Sequence, residues 1–255
     1  MFIDIHAHIQ DRILVERLEN VIKNAELVNV KKIICSSYDL SSSEEAIKIS
    51  KEYQNVYATV GIHPENCEKY DSEVEKKLIE LCNFNKVVAV GEIGLDYHYS
   101  KENKELQKQV FINQIIMANK LSLPIVIHSR DAIGDTMQII REYKKYLNNG
   151  VIFHCFNESE EILKEILAMG FYVSFGGVVT FNNAKNLVDI VKKTPVDRIF
   201  TETDCPYLTP VPFRGQINEP KNVNLIIKKI SEIKNIDLKI LEKSIENNVK
   251  KIFKI

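Results

Sequence analysis

The residues best suited to chemistry are histidines and acids that close short apolar runs of β-like character. Five of the six histidines stand in such a position, and two acids do the same: His6, His8, His63, His128 and His154, with Glu92 and Asp204. Histidines placed only for packing would not keep choosing the same end of the same kind of element. When several strands deliver such side chains to one rim, a barrel enzyme builds a metal site there. The spacing therefore predicts a metal-dependent catalytic centre.

The segment H-A-H at the end of the first run is the strongest local signal. His6 and His8 are two residues apart on an extended chain, so both imidazoles point to the same side and can reach one cation. The side chain of Asp4, two residues before His6, points to the same side of the extended chain. It either orients one of these histidines from behind or has a purely structural role, and the residues alone leave both open.

Two acids complete the candidate set. Glu92 stands between the glycines of G-E-I-G, at the predicted end of the fourth strand, and small neighbours leave room for a close approach to its carboxylate. Asp204 closes the eighth run, where an acid can both contact a metal and accept a proton from water. Glu202 is predicted to face the other way and to form a structural salt link. For Asp96 the residues leave two roles open, that of a turn residue and that of a support on the helix side.

His128 and His154 end the fifth and sixth runs. A single histidine after an apolar run is usually a core residue whose hydrogen bonds are satisfied. Two such histidines on consecutive strands favour a role as metal ligands. Arg130 lies just beyond the rim, where its guanidinium could hold a phosphate or pair with an acid such as Asp131. Arg214 lies in the long loop after the eighth run, a common place for phosphate sites in barrels, and solvation of the surface explains it equally well.

The elements that must position these residues alternate along the chain. Val-, Ile- and Phe-rich runs predict strands at 2–6, 32–36, 56–62, 87–91, 124–128, 151–154, 171–175 and 198–203. Helical spacing predicts helices at 13–29, 43–53, 73–84, 101–121, 133–147, 160–169, 183–193, 220–233 and 238–253. Eight such units in 255 residues indicate an α/β protein, a (β/α)8 TIM barrel forming one domain over 1–255. An open doubly wound sheet would offer a glycine-rich turn where H-A-H stands.

Composition narrows the classes of partner. The 34 basic and 35 acidic residues leave a net charge of −1, so no global field attracts the chain to nucleic acid or to an anionic membrane. The 5 cysteines form no C-x-x-C pair and indicate reduced thiols in a cytoplasmic protein. No apolar run is long enough to predict a membrane span. Nothing in the composition implies an obligate protein partner.

The size of the ligand set predicts the number of ions. Four histidines and two carboxylates are too many for one tetrahedral ion with an open position. They suit two divalent ions that share a carboxylate and a bridging water. Mixed nitrogen and oxygen donors exclude a soft-metal centre but leave Mg, Mn and Zn open.

The ordered motifs M-F-I-D-I-H-A-H, G-I-H-P, G-E-I-G-L-D-Y, H-S-R-D-A, H-C-F and E-T-D-C-P-Y-L-T-P-V-P-F-R-G-Q-I-N-E-P resemble those of the TatD-type metal-dependent deoxyribonucleases. The resemblance runs from Met1 to at least Pro220. It implies a TIM barrel of the metallo-dependent hydrolase type that hydrolyses DNA phosphodiester bonds. It also implies a 3′–5′ exonuclease action on single-stranded DNA.

The resemblance assigns roles to individual residues. A first ion would be held by His6, His8, Glu92 and Asp204, and Glu92 would bridge to a second ion held with His128 and His154. Asp204 would be the general base. Substrate phosphate would face His63, Arg130 and Arg214. The family usually has histidine before that last arginine, whereas this chain has Phe213, which puts a phosphate or extra-metal contact there in doubt.

Two other functions remain possible on the residues alone. Amidohydrolases that act on small amides or phosphoesters also begin with H-x-H, but they typically bridge their metals with a modified lysine on strand four, where this chain has Glu92. A catalytically silent binding protein would show a broken ligand set, and none of the six positions is broken.

Overall fold

Strands and helices alternate along the chain, as predicted. The computed structural model describes residues 1–99 and 101–255. The strands are β1 (Phe2–Ala7), β2 (Val30–Cys35), β3 (Val56–Val60), β4 (Val87–Asp96), β5 (Ile125–Arg130), β6 (Val151–Phe153), β7 (Tyr172–Phe175) and β8 (Ile199–Thr201). They form one eight-stranded sheet in the order β1 to β8. Sequential strand order with helices between the strands is the topology of a (β/α)8 barrel.

The helices of the described residues follow the strands in turn. They are α1 (Arg12–Val15), α2 (Leu18–Leu27), α3 (Leu40–Glu52), α4 (Ser72–Cys82), α5 (Lys104–Lys120), α6 (Ile133–Glu142), α7 (Glu160–Ala168), α8 (Lys185–Lys193), α9 (Val223–Lys234) and α10 (Leu238–Ile252). Short 3-10 turns occur at Pro64–Lys69, Lys144–Tyr146, Gly177–Thr180, Val196–Arg198 and Pro220–Asn222.

Helix ends follow local side-chain chemistry. The carboxylate of Asp71 accepts hydrogen bonds from the backbone N–H groups of Glu73 and Val74 at the start of α4. Gly170 lies just past α7 with a φ of 80°, a left-handed backbone conformation that favours glycine at the end of a helix. The single helix predicted over 13–29 is wrong, because Arg17 leaves helical geometry and separates α1 from α2.

The chain divides into two compact units. The terminal unit comprises Met1–Cys35 and Cys155–Ile255, and the central unit comprises Ser36–His154. In the terminal unit, β1 pairs with β2 and β7 with β8, both in parallel. In the central unit, β3, β4, β5 and β6 pair in parallel in that order. A single domain over 1–255 stays a prediction.

Strand burial explains the near-continuous apolar runs of the sequence. Every residue of β1 and of β4 is buried. Parallel strands covered on both faces show little polar alternation, so the polar residues that do occur on them need a structural or chemical reason. On β1 and β4 the charged or ionisable residues are Asp4, His6, Glu92 and Asp96.

The fourth strand is longer than predicted, and Glu92 lies inside it, not at its end. β4 continues alongside β5 until Asp96 pairs with Arg130, with a register shift between Val90 and Ile93. The shift frees the Glu92 backbone N–H from β5, and it donates instead to the Ser37 carbonyl at 2.8 Å. Such a bulge re-aims a side chain within an otherwise regular ladder.

The glycines beside Glu92 serve the sheet and not an approach to the carboxylate. A Cβ at Gly91 would lie 2.8 Å from the Val126 Cβ. A Cβ at Gly94, where φ is 145°, would lie 1.9 Å from the His128 carbonyl oxygen. Only glycine permits β4 and β5 to come this close.

Candidate metal centre

In the terminal unit, two imidazoles converge on one carboxylate oxygen. The Oδ1 atom of Asp204 lies 3.3 Å from Nε2 of His8 and 3.8 Å from Nε2 of His6. Both histidines are buried, and the side chain of Asp204 is 14% exposed. The predicted proximity of these three residues is thus present, with two nitrogen donors and one oxygen donor at a partly open position.

Backbone hydrogen bonds hold this cluster in place. The Asp204 N–H donates to the His6 carbonyl at 2.9 Å, and the His8 N–H donates to the Cys205 carbonyl at 2.8 Å. Asp204 has a φ of 54°, in the left-handed region that non-glycine residues rarely adopt. The chain therefore turns at Asp204 while it remains fastened to β1 on both sides of the turn.

The carboxylate of Asp4 stabilises the same turn through hydrogen bonds. Its Oδ1 accepts from the Thr203 N–H at 2.9 Å and from the His6 N–H at 3.3 Å, and its Oδ2 accepts from the Thr203 hydroxyl at 2.5 Å. Burial raises the pKa of Asp4 to about 8, against these hydrogen bonds, which lower it. Of the two roles left open for Asp4, the structural one matches its contacts, which are with backbone and hydroxyl groups.

Glu202 is buried, as the strand pattern implies, and accepts from neutral donors. Its Oε1 accepts from the Cys155 N–H at 2.6 Å, and its Oε2 accepts from the Ser174 hydroxyl at 2.5 Å. These bonds tie the residues after β6 and β7 to the end of β8. The salt link expected for Glu202 stays a prediction.

In the central unit, three imidazoles surround one carboxylate oxygen. The Oε1 atom of Glu92 lies 2.7 Å from Nδ1 of His128 and 2.8 Å from Nε2 of His154. The Nε2 atom of His63 lies 3.7 Å from the same oxygen. Glu92 is only 4% exposed, so this is a desolvated group of potential ligands.

The hydrogen-bond partner of the second ring nitrogen of His128 determines its tautomer. Nε2 lies 2.9 Å from Oδ2 of Asp96, and the other oxygen of that carboxylate accepts from the backbone N–H groups of His98 and Tyr99. Burial acts to raise the pKa of Asp96, but the hydrogen bond from His128 and the backbone amides outweigh it, and the pKa lies below its ordinary value. An ionised Asp96 only accepts, so Nε2 of His128 carries a hydrogen.

This arrangement fits a metal ion. With its hydrogen on Nε2, a neutral His128 presents the Nδ1 lone pair to Glu92 Oε1 at 2.7 Å, and two acceptors repel at that distance. A cation between them, or a second proton on the ring, removes the repulsion. Burial acts to lower the pKa of His128, but Asp96 and Glu92 outweigh it and raise the pKa. The pocket thus favours positive charge, and imidazole with carboxylate is a donor set for divalent ions.

His63 joins this group more closely than predicted. Its Nδ1 accepts from the Glu65 N–H at 3.2 Å, which leaves Nε2 directed at Glu92. Ligand atoms of His63, Glu92 and His128 all lie within 4.8 Å of one another. Because Nδ1 accepts, the hydrogen of the neutral ring lies on Nε2, so His63 stands beside the candidate metal donors, and its role in substrate binding stays a prediction.

Two buried glutamines of α5 hold the strand ends that carry this cluster. Gln107 accepts from the Asp96 N–H at 2.9 Å and donates to the Asp96 carbonyl at 3.0 Å. Gln114 makes the same pair of bonds with Ile62, at 2.7 and 3.0 Å, just before His63. They are seven residues apart, two helical turns, so one face of α5 presents both amides.

Sequence reasoning missed Gln107 and Gln114 and left Asp96 open. A signal for Asp96 existed, because Glu92, Gly94 and Asp96 alternate along an extended chain and share one face. That signal depends on β4 continuing to Asp96, which the predicted strand did not. The sequence signal for the two glutamines is weak, because many helices carry a few polar residues on an otherwise apolar face.

The two arginines rest on aromatic rings. The guanidinium of Arg130 lies 4.8 Å from the centroid of the Tyr99 ring, and that of Arg214 lies 3.9 Å from the centroid of Phe181. Asp131, the alternative partner of Arg130, lies 3.0 Å from the His98 ring. Stacking leaves the edges of a guanidinium open to an anion, so phosphate binding by both stays a prediction.

Comparisons with known proteins give one consistent result. A family model described as TatD related DNase matches residues 3–254. An uncharacterized metal-dependent hydrolase of Bacillus subtilis, YabD, is 41% identical over 255 residues, covering 100% of both chains. The TatD homolog YJJV of Escherichia coli superposes with a TM-score of 0.94 at 26% identity, over 100% of this chain and 98% of that one. A TatD family hydrolase of Entamoeba histolytica gives a TM-score of 0.89 at 28% identity, over 99% and 97%.

These likenesses confirm the predicted resemblance and the fold class, a (β/α)8 TIM barrel. The coverage is close to complete in both directions, so the likeness concerns whole chains and not a shared fragment. Within the described residues, no helix is both long enough and apolar enough to span a bilayer.

Proposed function

The chain belongs to the TatD related DNase family, whose relatives are named as metal-dependent hydrolases, and we propose that it hydrolyses DNA phosphodiester bonds with two divalent ions. We propose further that it acts as a 3′–5′ exonuclease on single strands. The observation that carries the proposal is the pair of carboxylate oxygens, one in each unit, that imidazole nitrogens surround.

The proposed ligand set is the one that the family resemblance implies. His6, His8, Asp204 and Glu92 would hold one ion, and Glu92 would be shared with a second ion held by His128 and His154. Two ions so placed lower the pKa of water and neutralise the negative charge of a phosphodiester. Their identity among Mg, Mn and Zn is left open by mixed nitrogen and oxygen donors.

Asp204 is the proposed general base. Its Oδ1 faces His8 and His6, so Oδ2 is the atom assigned to take the proton from the attacking water. As the water oxygen bonds to phosphorus, the bond from phosphorus to the leaving sugar oxygen breaks, and solvent returns a proton to that oxygen. The 14% exposure of Asp204 supports this role, because a base must be reachable by water.

The substrate contacts proposed are those of cationic side chains. Arg130 and Arg214, each stacked on an aromatic ring, would hold phosphates, and His63 would face the scissile phosphate. The net charge of −1 favours short single-stranded ends as the substrate over long duplex DNA, because a protein that binds duplex DNA needs a broad basic face.

The test is cleavage of 5′-labelled single-stranded DNA by purified protein with Mg or Mn, with a chelator as control. A ladder of shortened labelled products, lost with the chelator and with Asp204→Asn, is the expected result. Phosphorothioate linkages placed at the 3′ end should block the reaction, and the same linkages at the 5′ end should not. Metal-loaded wild type that leaves DNA intact but hydrolyses a small amide would replace the nuclease proposal with an amidohydrolase.

A further inference from the structure

The loop after β8 exposes a concentration of large apolar side chains. The exposed fractions are 54% for Tyr207, 40% for Val211, 41% for Phe213 and 48% for Ile217. Scattered exposed apolar residues are ordinary, but four within eleven positions of one loop beside a candidate active site are a feature to explain.

The loop is held firmly, so the exposure does not come from a lack of structure. The side-chain amide of Asn218 donates to the carbonyls of Thr203 at 2.9 Å and Tyr207 at 2.7 Å. Farther along, the Val211 N–H donates to the Thr180 hydroxyl at 2.9 Å. A surface fixed in this way binds a ligand without first losing the conformational entropy of the loop.

Tyr207 lies directly beside the candidate metal donors. Its backbone N–H donates to the Asp204 carbonyl at 2.9 Å. Its ring centroid is 6.2 Å from that of His8, with the planes 64° apart. Half of this aromatic side chain is open to solvent next to the atoms proposed to act on phosphate.

The same loop carries a cation and a second ring. Arg214 lies against Phe181, and its neighbour Phe213 is exposed. An exposed benzyl group cannot hold a phosphate or a metal, but it offers a face for stacking. Rings alternating with a cation are the pattern of surfaces that bind single-stranded nucleic acid.

We propose that Tyr207 is a stacking platform for the base of the nucleotide next to the scissile phosphate, with Phe213 as a second, outer platform. This inference rests on the proposed nuclease function. The occupant is a single strand, because the bases of a duplex are already stacked on one another and cannot cover a protein ring. Stacking also supplies affinity that a chain of net charge −1 does not obtain from phosphate contacts alone.

The first experiment compares cleavage of an oligonucleotide with a normal 3′-terminal base and of one that is abasic at that nucleotide. Wild type should prefer the normal base, by about 5- to 150-fold in kcat/KM, the range measured for one stacked base. Tyr207→Phe should retain this preference and Tyr207→Ala should lose most of it. A purely structural role for Tyr207 would lower both rates together and leave their ratio unchanged, which would overturn the proposal.

The matched control is Leu27→Ala, which truncates an exposed apolar residue that closes α2, before β2 begins and thus at the opposite ends of the strands. It should keep the base preference of wild type. Phe213→Ala should reduce affinity for longer strands more than for dinucleotides. Equal losses on both lengths would remove Phe213 from the platform.

A binding experiment separates failure of the platform from failure of the nuclease function. A single strand with 2-aminopurine at its 3′ end and phosphorothioate end linkages should lose fluorescence on binding wild type and Tyr207→Phe, and much less on binding Tyr207→Ala. If wild type binds this probe without cleaving any DNA, the nuclease proposal fails, and the fluorescence change still tests whether the base stacks on Tyr207. Equal quenching by wild type and Tyr207→Ala, or no binding by wild type, overturns the platform.

Discussion

Asp96 accepts a hydrogen bond of 2.9 Å from Nε2 of His128 across the neighbouring strands β4 and β5. This bond orients the imidazole so that its other nitrogen meets the Glu92 carboxylate. A carboxylate behind a metal-binding histidine increases the basicity of the ligand and fixes its ring. Asp96 is therefore a positioning residue for the proposed centre.

Replacing Asp96 by asparagine should weaken metal binding by about 10- to 100-fold, because a neutral amide orients His128 less strongly. The measurement is calorimetric titration of chelator-treated protein with Mn or Zn, with circular dichroism to verify the fold. Asp131→Asn is the matched control, since Asp131 contacts only the exposed ring of His98 among the bonds described. Equal affinities for wild type and Asp96→Asn would remove this role from Asp96.

Replacing Gln107 by leucine should lower the free energy of unfolding by about 2 kcal/mol, because the buried N–H and carbonyl of Asp96 lose their partners. Urea denaturation followed by circular dichroism measures the change. Gln109→Leu, at an exposed position of the same helix, should change stability by less than about 0.5 kcal/mol. A loss of the same size in both variants would point to helix propensity instead of the lost hydrogen bonds.

Replacing Gly94 by alanine should destabilise the fold by about 3 kcal/mol or more, because the added Cβ would lie 1.9 Å from the His128 carbonyl oxygen at a φ of 145°. Gly134→Ala is the opposite case. A Cβ there meets nothing within 4 Å and the residue lies in α6, so the substitution should stabilise by about 0.5–1 kcal/mol. Denaturation midpoints compare the two, and a stable Gly94→Ala protein would mean that β4 and β5 separate easily.

Removal of metal should lower the melting temperature, because an ion that binds only the folded chain stabilises it. With free metal at 100 times its Kd, the effect is about 2.7 kcal/mol, or about 5–10 °C for a chain of this size. Calorimetric scans with Mn and with chelator measure it. Asp204→Asn and Glu92→Gln should show a much smaller metal-dependent shift, while Asp189→Asn, which removes an exposed acid of α8, should match wild type. A full shift in Glu92→Gln would contradict a shared ligand role for Glu92.

Much of this molecule could be predicted from its sequence because its signals are local. Apolar runs of strand length, amphipathic helices and the order of both determine a (β/α)8 topology, and histidines or acids at the ends of those runs mark the candidate site. His6, His8 and Asp204 do lie together in the terminal unit, as do Glu92, His128 and His154 in the central unit.

Tertiary structure alone decided what surrounds those residues. That Asp96 stands behind His128 depends on β4 running five residues beyond its predicted end, and this extension arises from pairing with β5, 30 or more positions later. The glutamines of α5, the hydrogen bonds from Asp4 to Thr203 and the exposure of Tyr207 likewise depend on neighbours distant in sequence. Periodicity reports which face of an element is apolar. It carries no information on which backbone groups a buried polar side chain will meet, because those groups come into reach only when the elements pack.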